Sequence, residues 1–112
     1  MNPAAFPGEP PIDIAPRDWA DVVRILREQA PLIEVWAFGS RAKRTAKPYS
    51  DLDLALITRQ PLSLEQLATI TDAFATSDLS IRVDVVDWAA TSEAFRKIIE
   101  RDKVVIQTAA TA

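Results

Sequence analysis

Gly39 is the only glycine beyond the eighth residue of a 112-residue chain. It stands at the end of residues 32–38, a stretch rich in β-branched and aromatic side chains. Such a stretch predicts a strand, and a glycine closing it predicts a tight turn where the backbone leaves the sheet. The remaining punctuation is supplied by proline. Five of the eight prolines fall in the first sixteen residues. That density opposes regular structure and predicts an extended lead-in over residues 1–15.

From residue 16 the pattern becomes periodic. Trp19, Val22, Val23 and Leu26 share one helical face over 16–29, and Pro31 closes the segment. After the strand at 32–38 and a basic run, Pro48 breaks the chain, and residues 51–57 read as a second strand ended by Pro61. Ser63 with Gln66 forms a capping-box pattern opening a helix whose apolar face reads as Leu64, Leu67, Ala68, Thr71 and Phe74. Residues 81–88 predict a third strand. Ser92 and Glu93 open a helix carrying Phe95, Ile98 and Ile99, and 104–107 form a short apolar element. The expected architecture is therefore α+β: one small mixed sheet of three or four strands with helices packed on it, spanning 16–108, with 109–112 as a tail. At this length two separate cores would each be too small to offset the entropy of folding.

Composition narrows the chemistry. With 48% apolar and 26% charged residues the chain has the mixture of a soluble globular protein. It has no Cys and no His, which removes disulfides, thiolate or imidazole metal sites and histidine-based nucleophilic catalysis together. No signal-like or membrane-length apolar run is present, so the expected location is the cytoplasm. A net charge of −3 argues against sequence-independent binding of duplex DNA. Any catalysis must rest on carboxylates, hydroxyls, Lys, Arg or a hard metal ion.

Asp51 and Asp53 are two apart in a predicted strand, so they share a face while Leu52, Leu54 and Leu56 share the other. Ten aspartates in 112 residues supply a D-x-D about once by chance. The spacing carries more weight. Gly39-Ser40 lies ten residues upstream, a coincidence that the Gly and Ser content would supply about once in a thousand. A glycine there lets the backbone approach a phosphate, and Ser40 adds a hydroxyl where N–H groups of a following helix could face an anion. Four cations, Arg41, Lys43, Arg44 and Lys47, lie beside the turn with no acid among them. Arg41 and Lys43 are the candidate phosphate contacts. Asp84 sits in the apolar run Val83-Asp84-Val85-Val86, where it is either a third metal ligand or the ion-pair partner of Arg82.

The segment GSRAKRTAKPYSDLDLAL resembles the signature of the minimal nucleotidyltransferase family of the DNA polymerase β-like superfamily, and VDVV resembles its third-carboxylate strand. The likeness runs from about residue 22 to residue 106. It implies that Asp51, Asp53 and Asp84 are catalytic and hold Mg²⁺ ions, with Asp84 accepting the proton of the attacking hydroxyl. Gly39 and Ser40 would form the phosphate-binding turn, and ATP would be the substrate. Many relatives have Gly where this chain has Arg44, which implies either a less tightly bent loop or an added phosphate contact.

Relatives of this length often pair with a HEPN-domain ribonuclease toxin, so the resemblance implies such a partner, neutralised by attaching AMP to a tyrosine. Two alternatives remain open: neutralisation by binding without catalysis, and nucleotidyl transfer to a small molecule or RNA. Trp19, Trp36 and Trp88 read as core rather than adenine-stacking residues, and Tyr49 reads as turn packing.

Overall fold

A computed structural model describes residues 9–110. The first helix, α1 (Pro16–Gln29), begins where Pro16 presets the backbone torsion and needs no N–H partner. Asp18 occupies its first turn and Arg27 its last, each complementing the helix dipole. Trp19, Val22, Ile25 and Leu26 form its buried face. Asp18 is buried as well. Its carboxylate accepts the Ser80 backbone N–H at 3.2 Å and the Ser80 hydroxyl, which pins the start of α1 to the loop before the third strand.

The chain then forms β1 (Glu34–Phe38), the five-residue helix α2 (Gly39–Lys43), β2 (Leu52–Ile57), α3 (Leu64–Ala75), β3 (Val83–Asp87), α4 (Glu93–Asp102) and β4 (Val104–Gln107). The strands make one four-stranded sheet in the order β3-β2-β1-β4. β1 runs antiparallel to β2 and β4, whereas β2 and β3 are parallel and joined by the α3 crossover. The expected α+β fold with a mixed sheet is what forms.

Alternation along β2 divides the protein into two layers. Leu52, Leu54 and Leu56 are fully buried against α1 and α3. Each such side chain contributes about 1.5–3 kcal/mol of burial. The opposite face of the sheet carries a smaller cluster of Trp36, Phe38, Ala55 and Ile99, with Ile57, Val86 and Trp88 packed against it. Trp36 and Trp88 meet edge to face at 5.2 Å, and Lys103 and Arg96 lie over their respective rings at 4.0 and 5.0 Å. Trp19 and Trp36 are core residues, as their surroundings predict.

Several expectations change. Residues 10–15 form neither helix nor strand, yet they are packed: Ile12 and Ile14 lie in the main core, and the Asp13 N–H donates to the Arg41 carbonyl at 2.8 Å. Proline density prevented helix and strand there but not burial. Residues 1–8 and 111–112 fall outside the described range. In the tail, the Ala110 N–H donates to the Pro31 carbonyl. The Ser63–Gln66 capping box forms in both directions. The buried face of α3, however, runs through Leu67, Ile70 and Phe74, while Leu64, Ala68 and Thr71 are exposed. Tyr49 is 94% exposed and packs on no turn. No helix among the described residues is long and apolar enough to cross a membrane.

Candidate active site

The site grows from the end of β1. Phe38 is fully extended and caps α2, so the chain passes from strand to helix at Gly39 without an intervening loop. Gly39 makes that step at φ +76°, a left-handed conformation that L side chains resist. Register places Phe38 opposite Asp53. A Cβ on Gly39 would consequently fall onto the Asp53 Oδ2 atom. Glycine is thus required twice, for its torsion and for the space the carboxylate occupies.

α2 stops after five residues because Arg44 adopts φ 60°, the conformation that usually ends a helix with glycine. Its guanidinium donates to the Pro10 carbonyl at 2.9 Å. The loop therefore keeps a glycine-like bend, and Arg44 is tied to the N-terminal segment. Both readings of the Arg44 substitution are replaced by this one.

Arg41 also departs from expectation. It is 6% exposed, and its Nε donates to the Ser50 carbonyl at 2.8 Å while Nη1 donates to the Asp13 carbonyl at 2.8 Å. Nη2 faces the Pro48 and Lys47 carbonyls at 3.3 and 3.5 Å. A guanidinium committed to these backbone oxygens is a loop clamp rather than a phosphate contact. Ser50 directly precedes Asp51, so the clamp fixes the entry of the chain into the carboxylate strand. The Lys47–Ser50 turn closes on itself through reciprocal hydrogen bonds of 2.9 and 3.0 Å. Lys43 stays half exposed beside the turn, with Nζ 3.9 Å from Asp102.

Across the sheet, the parallel pairing of β2 and β3 sets Asp53 directly beside Asp84. Asp51 precedes the strand and lies on the same side by alternation. Partial burial pushes the Asp53 carboxyl above its ordinary value, and the charges of Asp84 and Asp51 push it further the same way. Asp51 and Asp84 thus act on Asp53 as like charges. Asp84 turns to Arg82, whose Nη2 is 3.3 Å away, but both side chains are open to solvent. A pair of that kind is worth at most about 1 kcal/mol. Among the described residues no three acidic side chains are already drawn together closely enough to hold an ion. The donor set itself suits a hard divalent cation, since it offers only carboxylate oxygens and only Asp84 has a cation beside it, in a solvent-open pair.

A cleft of about 890 Å³ lies elsewhere, between α1 and β4 along Trp19, Val23, Leu26, Val105 and Ile106. Its lining carries no carboxylate.

Residues 20–111 match the family model described as Polymerase beta, Nucleotidyltransferase. A Haemophilus influenzae relative named probable protein adenylyltransferase MntA is 51% identical over 96 residues, covering 86% of this chain and 84% of that protein. Among solved structures, a toxin-antitoxin complex with AMP-PNP aligns with TM-score 0.68 at 21% identity, covering 80% of this chain and 73% of the other. The complex of a tri-AMPylated Shewanella oneidensis HEPN toxin with its MNT antitoxin aligns with TM-score 0.60 at 17% identity, over 82% of this chain and 71% of the other. At these identities the structural likeness speaks for the fold.

Proposed function

The chain belongs to the polymerase beta nucleotidyltransferase family, and from that premise we propose that it is a Mg²⁺-dependent protein adenylyltransferase that transfers AMP from ATP to a tyrosine of a HEPN-domain toxin. The observation that carries this reading is the setting of Asp53 against Asp84 on one side and against the side-chain-free Gly39 turn on the other. Its support from relatives is the 51% identity to a probable protein adenylyltransferase. In this reading the protein is an antitoxin acting in the cytoplasm, where ATP is available.

Asp51, Asp53 and Asp84 would hold the metal ions, which when bound neutralise the phosphate charge and favour ionisation of the acceptor hydroxyl. Gly39 and Ser40 present the backbone and a hydroxyl to the phosphates, and Lys43 adds a flexible positive charge at the end of α2. The acceptor oxygen attacks the α-phosphorus in line, the bond to the bridging oxygen breaks, and pyrophosphate leaves. Asp84, whose side chain is open to solvent, takes the hydroxyl proton. Catalysis on this scheme is positioning and charge neutralisation, with no covalent enzyme intermediate. The open face leaves the acceptor to complete the site.

Incubation with labelled ATP, Mg²⁺ and the product of the neighbouring gene tests the reading. Wild type should label a tyrosine of that partner, and Asp53→Ala should not. Normal labelling by Asp53→Ala would refute the assignment of the site. Protection of cells by a variant lacking all three aspartates would instead identify neutralisation by binding, and label appearing only in small molecules or RNA would identify a different acceptor.

A further inference from the structure

We propose that Tyr49 is itself an acceptor, and that one copy of the chain transfers AMP to the Tyr49 hydroxyl of another. The inference rests on the reading of the site as a tyrosine adenylyltransferase.

Tyr49 is the only tyrosine in the chain. It occupies the turn Lys47-Pro48-Tyr49-Ser50, which closes through the Ser50 N–H to the Lys47 carbonyl at 3.0 Å and the Lys47 N–H to the Ser50 hydroxyl at 2.9 Å. Pro48 takes the second position, where its fixed torsion suits such a turn. The Arg41 guanidinium braces the same turn, facing the carbonyls of Lys47, Pro48 and Ser50. The backbone is thus held firmly while the side chain is left to solvent, with Tyr49 94% exposed. A surface tyrosine ordinarily lays its ring on apolar neighbours and wets only its tip. This ring contributes no such packing, and its hydroxyl is open to an approaching molecule.

The position of the turn adds to its exposure. Tyr49 stands two residues before Asp51, so their backbones are at most about 7 Å apart. The turn therefore lies at the rim of the face that carries the carboxylates. Two copies meeting with these faces together about a two-fold axis would each bring a turn to the other's site. Transfer within one copy would need the ring to fold back past Ser50, against a turn that is hydrogen-bonded and clamped.

Charge favours the same encounter. From Arg41 to Ser50 the chain carries four cations and no acid. Arg41 and Arg44 are committed to backbone carbonyls, whereas Lys47 is exposed on the turn itself. The face it approaches carries Asp51, Asp53 and Asp84, with the phosphates of ATP added in use. A tyrosine delivered beside a lysine is drawn to such a site, where one flanked by acids would be repelled. The Tyr49 oxygen of one copy attacks the α-phosphorus of ATP held by the other. The bond to the bridging oxygen breaks, pyrophosphate leaves, and the phenolic proton passes to Asp84 of the catalysing copy.

The test uses the full chain without any partner. With labelled ATP and Mg²⁺, wild type should acquire AMP, placed on Tyr49 by mass spectrometry of its peptides, and the fraction labelled per unit time should rise in proportion to protein concentration. Tyr49→Phe and Asp53→Ala should each lose this labelling when incubated alone. Mixed together they should restore it, with AMP only on the Asp53→Ala chain, since the other supplies an intact site. Tyr49→Phe should still label the product of the neighbouring gene at the wild-type rate. AMP on a different residue, an unlabelled mixture, or Tyr49→Phe inert toward the neighbouring product would each overturn the inference. Wild type that labels the neighbouring product but never itself would overturn the inference alone, and wild type that labels neither would overturn the functional reading with it.

Discussion

Gly39→Ala separates what the turn does for folding from what it does for chemistry. The backbone component follows from φ +76°. An L residue held in the left-handed region costs about 1–2 kcal/mol. Alanine restricts the unfolded chain more than glycine does, which offsets about 0.4–1 kcal/mol of that. The net loss of stability is therefore about 1 kcal/mol, equivalent to a fall in Tm of about 4–8 °C for a domain of this size.

The steric component falls elsewhere. The new methyl would overlap the terminal Oδ2 of Asp53, whereas the Asp53 Cγ and Cβ are at tolerable distances of 3.4 and 3.6 Å. A carboxylate oxygen can swing aside at little expense to the fold. It cannot do so and still hold a metal ion in the geometry required. A displacement of about 1 Å in such a group lowers turnover about a hundredfold. Urea denaturation and thermal melting would measure the first component, and initial rates of AMP transfer the second. The expected signature is a mildly destabilised protein with at least about a hundredfold loss of kcat. Transfer above about a tenth of the wild-type rate would refute the placement of Asp53 against Gly39. A loss of more than about 4 kcal/mol would show that the carboxylate is not free to swing, contrary to the reasoning.

Two further outcomes follow from the same geometry. Between the ordinary carboxyl value of 3.8 and the raised value of Asp53, the folded protein keeps a proton that the unfolded chain has released. Stability therefore declines as pH rises through that interval and stays reduced above it. Asp53→Asn, measured without metal, should raise Tm at pH 7 by a few degrees while abolishing transfer, and the gain should vanish as pH falls below the ordinary carboxyl range; a lower Tm at pH 7 would contradict the repulsion inferred from Asp84 and Asp51. Arg41→Lys should destabilise by about 2–4 kcal/mol, because an ammonium cannot reach the Asp13 and Ser50 carbonyls together. Proteolysis within residues 44–50 should accelerate with it, and an unchanged denaturation midpoint would remove Arg41 from its role as clamp.

The sequence by itself determined the elements and the identity of the acids. Helix α1 is legible because its apolar spacing and bounding prolines are local, and the capping box at Ser63 is legible because both partners lie within one turn. The alternation of β2 separated Asp53 from Leu52, Leu54 and Leu56 for the same reason. Local periodicity misassigned part of α3, where Leu64 fits the helical face by spacing but nothing in the tertiary structure covers it and it stays exposed.

Tertiary structure alone decided everything that depends on which distant segments meet. Pairing of β2 with β3 put Asp84 beside Asp53, and no feature of either strand specifies that register. The fate of the basic run was likewise invisible. Arg41 turned inward because the carbonyls of Asp13, Lys47, Pro48 and Ser50 surround it, whereas Lys43 remained beside the turn. Glycine at position 39 was recognisable as a turn residue from sequence, but its second reason, the Asp53 oxygen where a Cβ would stand, exists only once β1 and β2 are paired. Asp102 came within 3.9 Å of Lys43 only through the packing of α4 beside α2. Periodicity and capping act over one or two turns of chain, and so can be read in order. Register, burial of a charge and the filling of space are set by neighbours far apart in sequence.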